Sequence, residues 1–477
     1  MSKKLVLSFC MLLTSFGFAL DVVDLAGDWN LETVGNTCVT TCVARVPGDV
    51  YSALYEAKKI PDPYWGCNET NVQWVAKEDW VFSRAFQITE DFATKKRIVL
   101  EIDNADTFAD IYLNGKKVGS LSNRFARWTL DVKSALKVGC NEIRAVFKSA
   151  WREADRRRAA IGRKFSMSIV PWAQNQALIR KPACHAGWDW GPSQMTTGFC
   201  GDVKIIAHDE PKIEYIYSSQ EFNDDFTRCD LTVFADVVAS DGSLHTVTNK
   251  IIIDNPPLWW PNGAGEQKFY EYTIKVGSET IKRKIGLRKV EIVTTGGAMA
   301  FKVNGRELFM KGANWIPCDA FDSRQTPEVY RDLLTSAANA NMNMIRLWGG
   351  GQFEKDEFYD ICDELGLLVW HDQMFACALY PADEDFLAEV EMELSHQLRR
   401  LRDHASIALW CGDNECIGAL RWFRESRKLD PEYYKGALIK RHQLQDKMIA
   451  KYDPARMFWP SSPCAGPGSF ADNWKND

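Results

Sequence analysis

The sequence predicts a multidomain β plus α/β protein: two β-sandwich units followed by a parallel strand–helix unit. Three observations predict it. From about residue 22 to 296, short runs alternate apolar and polar residues and are separated by turn residues, the pattern of strands with one buried face. From about 297, short apolar runs alternate with amphipathic helical stretches, which suits a parallel barrel or a doubly wound sheet. Finally, the apolar run from Ile407 to Cys411 ends abruptly at Gly412-Asp413-Asn414-Glu415. It reads as a buried parallel strand that delivers a carboxylic acid at its C-terminal end, where barrels place their chemistry.

Residues 1–19 read as a secretory leader. Lys3 and Lys4 form its basic end, Leu5 to Leu13 its apolar stretch, and Gly17-Phe18-Ala19 a small-x-small cleavage site. Ser8, Thr14 and Ser15 interrupt the stretch, which falls short of the roughly 20 residues of a bilayer span. No membrane anchor is therefore expected after cleavage. Residues 20–210 form the first sandwich. Val99-Leu100-Glu101-Ile102 and Ala109-Asp110-Ile111-Tyr112-Leu113 are strands, and Asn114-Gly115 supplies the positive φ angles of a tight hairpin before the pattern resumes at Val118. Leu130, Val132, Ile143 and Val146 continue it. Asp209-Glu210-Pro211-Lys212 reads as a linker. Residues 211–296 suit an immunoglobulin-like sandwich, with period-two runs at 230–237 and 270–276. Residues 297–477 open with a hairpin at Asn304-Gly305, followed by a strand at 308–312. A helix begins at Pro327 under a Thr326 cap. Met344 to Trp348 is a strand, a helix ends at Gly366, and 367–370 is a strand. A long helix runs from about Phe386 to Arg402, the Ile407 strand is fourth, and Arg456 to Trp459 is a candidate fifth.

The 477 residues carry a formal net charge of −6, which argues against nucleic acid as a partner. The 18 Trp often sit beside Gly, Pro, Asp or Asn. Indole faces pack against the C–H faces of sugar rings, so a carbohydrate ligand is indicated alongside ordinary packing. Cys38 and Cys42 lie close enough for a small-loop disulfide, whereas Cys362, Cys377, Cys411 and Cys416 sit in apolar surroundings and read as buried thiols. Asn68-Glu69-Thr70 is a glycosylation sequon, hence Asn68 a candidate glycan site.

Successive strands of the last unit end in polar or aromatic residues: Asn314 and Trp315, then Trp348, then His371 and Asp372, then Asn414 and Glu415. Glu415, flanked by Trp410 and Trp422, is the candidate general acid, since apolar neighbours favour its protonated form. Asn414 can donate to a substrate hydroxyl. In the first sandwich, Trp188-Asp189-Trp190 sits in a turn rich in Gly and Pro. It is either a rigid structural loop or a sugar clamp, with Asp189 accepting from hydroxyls while an indole packs the ring. His371 reads as an orienting residue: no H-E-x-x-H and no G-x-S-x-G is present, and no metal or cofactor is expected. Gly349-Gly350-Gly351 lacks the spacing and the Lys-Ser/Thr of a phosphate cradle. The basic run Arg156-Arg157-Arg158 with Arg163-Lys164 reads as a solvated loop, because Glu153 and Asp155 lie close by.

These stretches together resemble the β-mannosidases of glycoside hydrolase family 2, especially the animal lysosomal type. The matching segments are 187–192 (GWDWGP), 258–263 (LWWPNG), 311–317 (KGANWIP), 346–351 (RLWGGG), 375–381 and 413–415. The resemblance implies a jelly-roll-like sandwich, an immunoglobulin-like sandwich and a (β/α)8 TIM barrel. It also implies retaining exo-hydrolysis of terminal non-reducing β-D-mannose from oligosaccharides and glycoproteins, in the lysosome or after secretion. It assigns Glu415 as acid/base, with Asn414, Trp188, Asp189, Trp190, Trp348 and Trp422 around the sugar. Another family 2 exo-glycosidase, acting on glucosaminides or galactosides, and a non-catalytic glycan-binding protein are the alternatives. Retention needs a second carboxyl about 5–5.5 Å from the first. The family's Ser-Glu-Tyr-Gly-like nucleophile segment has no match here, so the chain reads as a truncated barrel, inactive alone.

Overall fold

The computed structural model describes residues 4–6, 20–34, 41–165, 175–295, 299–421 and 426–466. Cys38, Trp422 and most of the expected leader lie outside the described residues. Within the leader, Lys4–Val6 is a short strand beside Tyr270–Val276. Cys42 is a free thiol. No helix among the described residues is long and apolar enough to cross a membrane.

The first unit packs two antiparallel sheets face to face. One orders its strands Arg127–Asp131, Arg97–Asp103, Val203–His208, Asp21–Asp24; the other Cys42–Val46, Gly27–Thr33, Trp80–Ile88, Gly139–Lys148, Phe108–Leu113, Lys116–Leu121. Period-two alternation puts Trp29, Leu31, Phe82, Leu100, Ile102, Ile111, Ile143 and Phe147 in one buried core. Asn114 and Gly115 take φ of 50° and 79°, as the hairpin turn demands. The basic run is not a loop. Arg156 to Arg158 lie on the helix Ala150–Ile161, capped by Ser149, where Arg156 pairs with Glu153 and Arg157 with Glu389, while Arg163 and Lys164 follow its end outside any helix. Glu153, which looked like charge balance in a loop, pairs with Arg156 at helical spacing, whereas Asp155 accepts from Asn175.

The second unit joins Lys212–Phe222, Arg228–Val238 and Leu244–Asp254 in one antiparallel sheet and Tyr270–Val276 with Glu279–Ile285 in another. Its core is Leu231, Val233, Ala235, Tyr272, Ile274 and their neighbours. Val290–Val293 then pairs with Ala300–Val303, so this small sheet spans the expected boundary at 296. The segment after it departs from the expected strand at 308–312. Phe309 is exposed, and Asn343 occupies the backbone of Phe309 and Lys311 with its side-chain amide.

From Gly312 the described residues form a five-stranded parallel sheet in sequential order: β1 (Gly312–Trp315), β2 (Met344–Leu347), β3 (Leu368–Asp372), β4 (Ile407–Cys411) and β5 (Phe458–Trp459). Between them run α1 (Pro327–Asn339), α2 (Asp356–Leu365), α3 (Glu384–Leu401), the short α4 (Cys416–Ala419) and α5 (Pro431–Tyr452). Thr326 caps α1 and Gly366 ends α2 at φ 71°. β4 is buried at every residue, as a strand covered on both faces must be.

A Cβ at Gly312 would lie 1.9 Å from the Met344 carbonyl oxygen. We expect Gly312→Ala to force β1 away from β2 and to destabilise the unit by about 3 kcal/mol, seen as a lower thermal midpoint.

The units are locked together. Arg180 of the first unit bonds Glu393 of α3 through two hydrogen bonds of 2.8 and 2.6 Å, both residues fully buried. Trp259 buries its indole in the α/β core and donates to the Asp363 carbonyl at 2.9 Å, while Asn262 caps the end of α1 through the Ala338 and Met342 carbonyls. The 258–263 segment is thus a structural anchor.

Candidate active site

The segments that follow β2, β3, β4 and β5 meet a loop of the first unit at the C-terminal ends of these strands. From β4 comes Glu415, half-buried, its backbone at φ 61°, an uncommon conformation for a residue with a Cβ. The turn is held from both sides. The Glu415 N–H donates to the Ser462 carbonyl at 3.0 Å, beyond β5, and Gln445 of α5 donates to the Gly412 carbonyl at 2.7 Å.

Beneath the turn lies Asp413, fully buried. Its carboxylate accepts from Arg441 at 2.5 Å, His442 at 2.7 Å, the Cys416 N–H at 3.1 Å and the Ser461 hydroxyl. Burial alone would raise this carboxyl. The His442 hydrogen bond and the Arg441 charge overcome it and hold it down to about 2. Asp413 is the positioning residue that the sequence reading did not single out. Its signal was the Asp at the foot of the strand end, with Arg441-His442 one helix later.

Asn414 is 4% exposed. Its Oδ1 accepts from Arg346 of β2 at 2.9 Å, and its Nδ2 donates to the Cys377 sulfur at 3.2 Å. Arg346 also pairs with the buried Asp372 of β3 at 2.7 Å and reaches Asn314 of β1 at 3.3 Å. Burial works against the Arg346 charge, but Asp372 raises its pKa above the usual value. Asp372 further accepts from the Gly349 N–H and the Trp370 indole, both at 3.0 Å. Its carboxylate is fully committed.

The Gly run after Trp348 is a packing device. A Cβ on Gly349 would lie 2.5 Å from the Phe375 carbonyl, and one on Gly350 would strike the Trp348 ring. Trp348 stands edge-on to Trp188 at 4.8 Å and to Trp190 at 5.6 Å between ring centres. The loop from the first unit therefore reaches the strand ends, pinned by the Cys184 N–H donating to the Gly350 carbonyl at 2.9 Å. At its base, Lys181, Arg124 and Thr196 converge on the buried Asp106, and His185 bonds Thr196 at 3.0 Å. Trp190 is 44% exposed and Asp189 is also exposed. An open indole and an open carboxylate thus stand on the loop that meets Trp348 at the mouth of the strand ends.

Two expected strand-end residues turn away. The Trp315 indole donates to Glu354 at 2.9 Å and packs on Phe358, facing the helices because residues along a strand alternate faces. His371 is fully buried, with Nε2 2.8 Å from the Tyr359 hydroxyl and Nδ1 2.7 Å from the Asp372 carbonyl. Burial holds its imidazole down to about 3, so it is neutral. Among the described residues Asp360, Asp363 and His404 group as possible metal ligands. They lie at the opposite end of the strands, where Asp363 is already engaged by His404 at 2.9 Å and the Ser406 N–H at 2.7 Å. The sequon residue Asn68 uses its side-chain amide to donate to the Asp62 carbonyl at 2.9 Å.

The chain is similar to known proteins along most of its length. Residues 29–201 match the family described as glycosyl hydrolase 2 galactose-binding domain-like. The β-mannosidase of Capra hircus is 33% identical over 96% of this chain and 57% of its own length. A probable β-mannosidase of Caenorhabditis elegans is 32% identical over 93% of this chain and 55% of its own. The chain thus spans little more than half the length of these relatives. The crystal structure of a β-D-mannosidase from Dictyoglomus thermophilum superposes with a TM-score of 0.86 at 33% identity, covering 93% of this chain and 58% of that one. An exo-chitosanase of Amycolatopsis orientalis, at 20% identity and a TM-score of 0.68, covers 94% of this chain and 54% of its own and shares the fold.

Proposed function

We propose a function from this premise: the chain belongs to glycosyl hydrolase family 2, as a homologue of the N-terminal portion of the β-mannosidases. In our reading it supplies the proton-donor half of a retaining exo-glycosidase that removes terminal non-reducing β-D-mannose. The five parallel strands in unbroken sequential order support reading the last unit as the opening portion of a (β/α)8 barrel, since a doubly wound sheet reverses its order at a switch point. The domains are then a leader at 1–19, a jelly-roll-like sandwich at 20–210, an immunoglobulin-like sandwich at 211–296 and barrel at 297–477.

One observation carries the reading: a carboxylic acid at a strand end opens onto a mouth walled by indoles from a different unit. Glu415 protonates the leaving oxygen as the C–O bond breaks, and as carboxylate it later takes a proton from the attacking water. Trp348, Trp188 and Trp190 pack the sugar, Asp189 accepts from its hydroxyls, and Asn414 donates to a substrate hydroxyl next to the acid. Trp422 is assigned by resemblance alone. The nucleophile is assigned to a carboxylate outside the described residues, because Asp372 and Asp413 are pinned by their own partners. The leader supports passage through the secretory route, with the lysosome as destination and secretion as the alternative.

Nitrophenyl β-D-mannoside, β-D-glucosaminide and β-D-galactoside, offered to the protein isolated from its source, test the reading. Preference for the mannoside supports it. Preference for another glycoside moves the protein to a different exo-glycosidase, and mannose retention without turnover favours a binding role. Trp190→Ala is expected to raise KM roughly tenfold by removing a stacking face, with kcat much less affected.

A further inference from the structure

We propose that Cys377 is a positioning residue for Glu415: a directional chain of donors running from Arg346 through Asn414 and Cys377 ends on Glu415 Oε2 and leaves Oε1 to carry the transferable proton. This rests on the assignment of Glu415 as the acid.

The direction of the chain follows from which groups can only donate. A guanidinium has no acceptor, so the Asn414 atom 2.9 Å from Arg346 is the carbonyl oxygen Oδ1. The other Asn414 atom is then the amide nitrogen, a pure donor, and it faces the Cys377 sulfur at 3.2 Å. The sulfur therefore accepts there, and its hydrogen points at the remaining neighbour, Glu415 Oε2, at 3.1 Å. The thiol is in the state this needs, since burial and then the nearby Glu415 charge keep it protonated. A positive charge at the head of the chain polarises each bond in the same sense. Among the described residues no donor reaches Oε1.

The placement of the thiol is costly to make. Cys377 sits at φ 47° and Glu415 at φ 61°, two facing residues in the left-handed region. The Cys377 N–H donates to the Asn414 carbonyl at 2.8 Å, and the Asn414 N–H to the Phe375 carbonyl at 2.9 Å, so the two loops are zipped backbone to backbone where the side chains meet. Among the described residues, Arg346 of β2 feels the Glu415 charge, Asp372 of β3 pairs with that arginine, and Asp413 and Cys416 are the ionisable neighbours on the Glu415 turn. Asp372 and Asp413 are each neutralised by an arginine, and burial keeps the Cys416 thiol protonated. Cys377 is the neutral donor in direct contact with the carboxyl.

A donor on Oε2 bonds the charged form of the carboxyl more strongly than the neutral form, so its loss is read as a difference in midpoint between variants. The test is an infrared titration of the carboxyl band that disappears in Glu415→Gln, run on the 477-residue chain and therefore independent of turnover. Cys377→Ala removes the donor and is expected to move the midpoint up by roughly half to one pH unit. Cys377→Ser keeps a donor and is expected to hold the midpoint at or below the parent value. An unchanged or lowered midpoint in Cys377→Ala, or an upward shift shared by both variants, overturns the proposal. Retained turnover of unactivated mannosides by Glu415→Gln in the protein from its source would instead overturn the acid assignment, whatever the infrared midpoints show.

Discussion

Glu415→Gln is expected to slow hydrolysis of mannosides with poor leaving groups by roughly 10²- to 10⁴-fold, the contribution of a positioned general acid. An amide has the shape of the protonated carboxyl but no proton of usable acidity. The half-buried side chain keeps its volume, the Glu415 N–H keeps its bond to Ser462, and Cys377 can still donate to the amide oxygen. Thermal stability should therefore be almost unchanged. Activated nitrophenyl substrates need little help from an acid and should lose much less in the glycosylation step. A series of leaving groups of rising basicity is the measurement. A uniform loss across the series would mean that Glu415 is not the donor, and a lowered melting temperature would mean that the variant reports on folding instead.

Asp413→Ala is expected to destabilise the α/β unit by about 3–5 kcal/mol, because it strands the buried Arg441 without its counter-charge. The urea midpoint of the first unfolding transition reads this. Activity should fall with it, since the same carboxylate ties together α5, the Ser461 hydroxyl and the turn that carries Glu415. The pH dependence has a definite sign. The folded carboxyl titrates at about 2, below the unfolded value of about 4. Its contribution, about 3 kcal/mol, is therefore fully present above pH 4 and is lost as pH falls toward 2. An acid compartment near pH 5 leaves it intact. In Asp413→Ala the unfolding midpoint should lose this part of its acid dependence.

Period-two alternation, the Asn-Gly turns, the Thr326 cap and the Gly366 stop were all readable from the chain because they are local, and they gave the two sandwiches and the strand–helix alternation. The strand at 308–312 misread because an apolar run says nothing about which backbone groups are already taken, and Asn343, more than 30 residues away, takes them. At the mouth, the carboxylate and the paired indoles could be named from motif and spacing. What could not be read was which way a strand-end side chain points: Trp315 faces a helix and His371 a buried tyrosine. Long-range pairs were equally silent. An Asp at a strand end and an Arg-His pair one helix later are visible in the chain, but only the fold shows that Asp413 meets Arg441, or Cys377 Glu415.

The mouth draws one wall from a loop of the first unit, clamped at its root on Asp106 and touching the strand ends through Cys184 and two indoles. In the proposed reading, competence is therefore a property of the assembled pair of units and of neither alone. On warming, a slight parting along that seam would abolish turnover before either unit melts, so inactivation should run ahead of the calorimetric transition. By the same logic, a selectivity carried by the loop can drift through its remodelling while Glu415 and its scaffold stay untouched.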